Sequence, residues 1–285
     1  MFEYVNMPRL LDRADQDALE FANAQPFKHI VIDDVLRPGC ETRIAEAFPG
    51  KNWSGWENAD HQYQRFKSSC SSVEAMPAPL DRVVLELLSG EFLTWLEKLT
   101  GIRDLLADPH LGGGGLHTTF EGGYLVPHTD FHSTGVENYY RRLNLLLYLN
   151  PTWTPANGAC LELWDKQRDS VVREVLPVLG RCVVFQTDDQ SVHGFSKAVS
   201  GKIQRNSIAT YYYTSTPPER FSGDGNTYWR MDSMRGKSSR QTWTSIQQRR
   251  LFLGIARLAS RISWRAGRMA SRISKEVEQD LPHRG

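Results

Sequence analysis

The chain has 285 residues, a formal net charge of +1 and 11% aromatic residues, enough for one large domain with a proper core and too few for two generous ones. This balance excludes a disordered chain and a protein whose overall charge seeks nucleic acid. The four cysteines, Cys40, Cys70, Cys160 and Cys182, form no C-x-x-C pair, which speaks against a zinc ribbon or a disulfide framework and for free thiols in a reducing compartment.

The N-terminus meets Arg9, Asp12, Arg13 and Asp15 before any apolar run develops. No secretory leader is expected there, and no stretch is apolar enough to span a bilayer, so a cytoplasmic location is the expectation. Residues 9–24 carry Leu10, Leu11, Ala14, Leu19 and Phe21 at helical spacing, and His29 to Asp33 reads as a short strand. Pro38 opens a second helix with Ile44, Ala45, Ala47 and Phe48 as its apolar positions. Residues 51–75, polar and rich in Ser and Trp, read as a loop. Between Pro79 and Thr100 the pattern fits one helix, or two broken near Gly90.

From Leu111 to Thr214 the texture changes to short β-type runs, at 143–149, 161–164, 171–176, 182–185 and 203–213. Many short strands at this spacing indicate a sandwich or open barrel behind a helical N-terminal layer, an α+β architecture. The glycine run Gly112 to Gly115 lacks the Gly-Lys-Ser/Thr ending of a phosphate loop and reads as a flexible turn. Residues 215–240 form a polar connection to a final helix. From Thr242 to Lys275 there are no acidic residues, while Leu251, Ile255, Leu258 and Ile262 recur at helical steps among arginines. Such a basic amphipathic helix can lie on an anionic membrane at about 1 kcal/mol per basic residue, or pack on its own domain or a second subunit. Its aromatics form no stacking series, so nucleic acid is not expected as a partner.

The chemistry concentrates in the β region. His128 and Asp130 stand two apart in Tyr124-Leu125-Val126-Pro127-His128-Thr129-Asp130, and in an extended strand such residues share a face and can reach one ion. His-x-Asp also arises by chance. His193, after a strand and a short turn, supplies either a third ligand or a surface-loop imidazole. Two His and one carboxylate on one face of a metal leave open positions for substrates, the demand of non-haem Fe(II) oxygenases. Arg205 begins an alternating strand whose face it shares with Ser207, Ala209 and Tyr211. Pointing inward, it is a buried guanidinium needing an anion, either a small dicarboxylate or an internal acid.

The order His128-x-Asp130, Tyr148-Leu149-Asn150 with Trp153, Gly158, Leu161-Glu162-Leu163, His193 and Arg205 resembles the prolyl-hydroxylase-like branch of the 2-oxoglutarate/Fe(II) oxygenases. Phe27 to Leu36 is similar to the strand and helix entry of that domain, and the resemblance covers roughly residues 27–216. It implies a double-stranded β-helix, a distorted jelly roll with N-terminal helices packed on one sheet, and Fe(II), 2-oxoglutarate and O2 as the reacting set. His128, Asp130 and His193 would hold the metal and carry catalysis, with Arg205, Tyr148, Asn144 and Ser207 facing 2-oxoglutarate. Candidate substrate contacts are Tyr124, His132, Arg141, Arg142 and Leu146, with the arginines either recognising an anionic group or standing as solvated loop charges, and His132 either a contact or a plain loop residue. Cys160 departs from the Gly-Gly pair common in the branch, while Asp130 argues against the halogenating relatives.

The organisation expected is therefore an N-terminal helical extension at 1–26, the dioxygenase domain at 27–216, a linker at 217–240 and the basic helix at 241–285. The expected activity is hydroxylation of a small-molecule, sugar or lipid-linked substrate with release of succinate and CO2, possible peripheral contact with the inner membrane face running through residues 241–275. The alternatives are a prolyl- or asparaginyl-type hydroxylase of protein side chains and a metal- or sugar-binding jelly roll without turnover. Arg205 together with Tyr148 weighs against the last, since a binding module has no need of a co-substrate anchor.

Overall fold

The computed structural model describes residues 2–58, 60–133, 139–218 and 227–230. The N-terminal layer holds α1 (Met7–Asp12), α2 (Ala14–Asn23), α3 (Glu41–Glu46), α4 (Leu80–Leu87) and α5 (Gly90–Thr100). The strands are β1 (His29–Ile32), β2 (Glu57–Asn58), β3 (Gln64–Cys70), β4 (Leu106–Ala107), β5 (Gly115–Thr129), β6 (Tyr140–Tyr148), β7 (Leu161–Asp165), β8 (Ser170–Val175), β9 (Cys182–Gln186), β10 (Val192–Phe195), β11 (Gln204–Thr214) and β12 (Tyr228–Trp229).

The main antiparallel path runs β1-β9-β6-β11-β5-β10-β7-β8. Its two ends meet where Arg173 Nη1 lies 2.9 Å from His29 Nε2, so the sheet nearly closes on itself as a double-stranded β-helix. Strand β5 serves both halves: Gly115 to Phe120 pair with β11, and Leu125 and His128 pair with β10.

Alternation on β6 separates two interiors. Leu143, Leu145 and Leu147 face outward and join Leu10, Phe21, Leu80, Leu87, Phe92, Trp95 and Tyr212 in the main hydrophobic core against the helices, where each fully buried Leu contributes about 1.5–3 kcal/mol. Asn144, Leu146 and Tyr148 take the opposite phase and face into the barrel. Polar tips inside the core are satisfied, Trp95 Nε1 donating to Leu10 O and the Tyr212 hydroxyl to Leu87 O.

Several expectations are refined. The 9–24 helix is two, breaking at Arg13, and 79–100 is also two, with Ser89 capping α5 by accepting from Phe92 N and Gly101 closing it at φ 73°. Residues 51–75 hold strands β2 and β3 where a loop was expected. The polar face of β3 looks into a polar cavity, so alternation of hydrophobicity does not mark it. Tyr4, Leu10 and Phe21 belong to the main core, so packing runs continuously across residue 27. Within the expected 217–240 linker, β12 pairs with β5 through Trp229↔His128. The expected basic helix at 241–285 lies outside the described residues.

Candidate metal and co-substrate site

His128 and Asp130 come from the end of β5, and His193 from β10 directly opposite, in register with His128. All three are buried, and one ligand atom from each lies within 4.8 Å of the others. Asp130 Oδ1 is 3.5 Å from His128 Nε2 and Oδ2 is 3.5 Å from His193 Nε2. Each imidazole is oriented from behind: Nδ1 of His128 is 2.9 Å from Val126 O and Nδ1 of His193 is 2.9 Å from Ser191 O. Donation from Nδ1 fixes the tautomer that leaves Nε2 a free lone pair facing Asp130. Close approach of the two ligand strands depends on Gly194, where a Cβ would lie 2.8 Å from Pro127 Cα and 2.9 Å from Leu125 O.

Burial pushes the His193 imidazole down to about 4, against the pull of Asp130. Burial would push Asp130 up, but Arg141 and the two imidazoles outweigh it and hold the carboxyl well below its usual range. A neutral His193 imidazole beside an ionised Asp130 carboxylate suits a divalent cation.

Asp130 Oδ2 accepts from Asn144 Nδ2 at 2.5 Å and meets Arg141 Nη2 at 3.1 Å. Arg141 Nε in turn donates to Asn144 Oδ1 at 2.8 Å, and its guanidinium stacks 3.4 Å from the Tyr211 ring centroid and 4.6 Å from Phe131. Arg141 reaches the barrel interior through a bulge, since Tyr212 pairs with Leu143 but Tyr213 pairs with Arg141. Arg142 is the residue skipped.

Deeper in the cavity Arg205 is 6% exposed. Its Nε donates to Ala159 O at 2.8 Å and its Nη2 to Tyr148 Oη at 3.2 Å, with the Phe195 ring 4.3 Å below. Tyr148 accepts there, which leaves its own proton to donate. Among the described residues no carboxylate lies within 4 Å of Arg205, so the internal-acid alternative has no candidate and a carboxylate ligand fits the guanidinium. The donor set fits Fe(II), two imidazoles and a carboxylate converging from one side.

These residues line one cavity of about 200 Å³. Of the expected site residues, Asn144, Leu146, Arg141, Ser207 and Arg205 are on its wall with the three metal-ligand candidates. Asn144 holds Asp130. Tyr148 is fully buried behind the wall and meets it through Arg205. Three expected substrate contacts do not line the cavity. Tyr124 turns its hydroxyl to Gln62 O at 3.5 Å, His132 packs with Nδ1 3.4 Å from Asp189, and Arg142 donates to Thr214 Oγ1 at 3.1 Å.

The wall also contains residues that sequence reasoning missed: Lys67 and Gln64 on β3, His117 and Thr119 on β5, and Trp229 on β12. Trp229 stacks on Tyr63 at 4.9 Å and lies 4.7 Å from the His128 ring. His117 and Thr119 stand at odd separations from His128 on β5, so period two counted back from His128 misses them, and their one signal is their own two-residue spacing. For Lys67 and Trp229 the sequence holds no comparable signal.

A family model described as the 2OG-Fe(II) oxygenase superfamily matches residues 115–213. Among curated proteins, the chain is similar to the prolyl 3-hydroxylase OGFOD1 of Mus musculus, 29% identical over 143 residues, which is 48% of this chain and 24% of that protein. The match thus spans about a quarter of the relative's length. Among solved structures, a prolyl hydroxylase from Trichoplax adhaerens, in complex with a hypoxia inducible factor oxygen degradation domain peptide fragment, superposes with TM-score 0.52 and 16% identity, covering 71% of this chain and 91% of that one. Prolyl 4-hydroxylase from Phytophthora capsici gives TM-score 0.52 and 19% identity, covering 74% and 66%. At such identities the structural likeness speaks for the fold.

Proposed function

From the premise that this chain belongs to the 2OG-Fe(II) oxygenase superfamily, we propose that it is a hydroxylase in which His128, Asp130 and His193 hold Fe(II) while Arg205 and Tyr148 hold the distal carboxylate of 2-oxoglutarate. The observation that carries the reading is the pairing, in one cavity, of a buried His-Asp-His cluster with a buried arginine that has no carboxylate partner among the described residues. Fe(II) with 2-oxoglutarate and O2 supplies the oxidant that couples decarboxylation to succinate and CO2 with insertion of oxygen into a C–H bond.

The chain's own contribution is geometry and exclusion of water. Val126 O and Ser191 O orient the imidazoles, and Asn144 and Arg141 pin one oxygen of Asp130. Arg205 offers a guanidinium edge beside the Tyr148 hydroxyl, a charge-assisted grip on a carboxylate. Leu125, Leu146, Leu161 and Phe195 form the apolar flank of the wall.

The substrate we favour is a small molecule, a sugar or a lipid-linked intermediate, with peripheral membrane contact through residues 241–275 as part of that reading. Similarity to a protein named as a prolyl 3-hydroxylase favours a second reading, a protein side chain. Addition of 2-oxoglutarate to the anaerobic Fe(II) protein is expected to give a weak visible charge-transfer band, and aerobic incubation to release succinate slowly. A protein showing neither would be a binding module. Stimulation of succinate release by a metabolite extract, as against a peptide library, separates the two substrate readings, and co-sedimentation with anionic liposomes tests the membrane contact.

A further inference from the structure

The registers of the barrel strands assemble its interior in rows. Lys67 on β3 pairs with Thr119 on β5, which pairs with Arg205 on β11; the next row is Ser69, His117, Ser207 and Tyr148. Cross-strand partners share a face, so Lys67 looks into the same cavity as Arg205, and both are on its wall. A bulge sets this phase: Arg65 pairs with Tyr124 and Lys67 with Thr119, while Phe66 between them takes φ 51° and is exposed.

The Lys67 ammonium makes no hydrogen bond or ion pair with the described residues. Burial pushes its ammonium down to about 8; Asp130 opposes this, and Arg205 and Arg141 add to it. Lys67 is half-buried and opens onto the cavity, where its ammonium can meet an anion. The described wall carries three cations, Lys67, Arg141 and Arg205, against one carboxylate, Asp130, so three minus one leaves +2. Fe(II) and the 2-oxoglutarate dianion cancel, and the loaded cavity keeps that excess. Arg141 is paired with Asp130, and Arg205 is taken by the co-substrate in the reading above. Lys67 starts two strands from Arg205, roughly 10 Å at the Cα atoms, a span far wider than one carboxylate.

Resting on the proposed oxygenase reading, we propose that Lys67 is the specificity residue for the substrate, recognising a carboxylate or phosphate group that the hydroxylated molecule carries. Lys67 lies outside the family-matched residues 115–213, on β3, which pairs with β5.

The test uses the full chain loaded with Mn(II) and 2-oxoglutarate, titrated with sodium sulfate at ionic strength held constant by chloride, with tryptophan fluorescence and the thermal midpoint as readouts. Lys67→Met is expected to fold at least as stably as the parent, since it removes a cation lacking a partner. Its apparent sulfate Kd is expected to rise about tenfold and to be restored in Lys67→Arg. The calorimetric affinity for 2-oxoglutarate is expected to stay within about twofold of the parent. Acids paired with their carboxamides, screened for stimulation of succinate release, should show a preference for the acid that Lys67→Met loses. An unchanged sulfate response in Lys67→Met would mean an adventitious ion only and overturn the proposal, as would a 2-oxoglutarate affinity about tenfold weaker, which would assign Lys67 to the co-substrate. If the parent itself does not bind 2-oxoglutarate, the oxygenase reading beneath the proposal fails.

Discussion

Replacing Arg141 by Met should make folding depend on metal. The guanidinium is buried, 3.1 Å from Asp130 Oδ2, bonded to Asn144 Oδ1 and stacked on Tyr211. Removing one partner of a buried ion pair strands the other charge, at about 3–5 kcal/mol. For a domain of this size each kcal/mol is worth about 2–4 °C, so the metal-free midpoint should fall by roughly 6–20 °C. A divalent ion on Asp130 supplies the missing positive charge, leaving the lost stacking of about 1–2 kcal/mol. The variant should therefore gain about 2–3 kcal/mol more from Mn(II) than the parent does. The assay is urea or thermal unfolding of Arg141→Met, Arg142→Met and the parent, each in EDTA and in Mn(II). Arg142, half-buried with a bond to Thr214, is the control and should lose only about 0.5–1.5 kcal/mol under both conditions. Equal losses for the two variants in EDTA, or an Arg141→Met deficit that Mn(II) leaves untouched, would refute the account of Asp130 as a charge neutralised in turn by arginine and metal.

Arg205→Met should weaken 2-oxoglutarate binding to the Mn(II) protein about ten- to a hundredfold, the worth of one charged hydrogen bond; calorimetry checks this, and an unchanged affinity would move the co-substrate elsewhere. The His193 imidazole is pushed down from its usual 6.5 to about 4, so the unfolded chain takes up the proton first as pH falls. Stability should thus be lost between pH 6.5 and 4, by about 3 kcal/mol from this group, and metal-free His193→Gln, followed by urea titration across that window, should lack that part of the slope. Gly194→Ala would drive a Cβ to 2.8 Å from Pro127 Cα, backbone that cannot give way. It should cost about 1–3 kcal/mol and lower the metal content of the purified protein, whereas Gly90→Ala, with nothing within 4 Å of its Cβ, should leave metal content unchanged.

How much of this was legible depends on phase. His128 and Asp130 stand two apart at the end of one strand, and Arg205 shares its face with Ser207, so period two alone put each on the inner wall. His193 was legible as a residue following a strand, and β10 brings it into register with His128. The outward leucines of β6 were equally plain, because Leu143, Leu145 and Leu147 alternate with the inward Asn144, Leu146 and Tyr148.

The same rule fails wherever a bulge intervenes. Counting back from Tyr148 in steps of two reaches Arg142, which period two sends inside and Arg141 outside. The structure reverses them, because Arg142 is skipped between the pairs Leu143↔Tyr212 and Arg141↔Tyr213. A second bulge at Phe66 turns Lys67 into the cavity, on a strand whose inward residues are polar and give no hydrophobic alternation to read. Both cations thus sit beside register shifts, Arg141 where β6 carries the extra residue Arg142 and Lys67 where Arg65 pairs with Tyr124 but Lys67 with Thr119, and bulges are over-represented beside active sites because they re-aim a side chain. The consequence is directional. Residues on an unbroken stretch of strand, such as Arg205 and Ser207, can be found from spacing. Arg141 and Lys67 reach the cavity beside breaks in the pleat, and only the register of the neighbouring strand reveals which of the adjacent Arg141 and Arg142 faces inward.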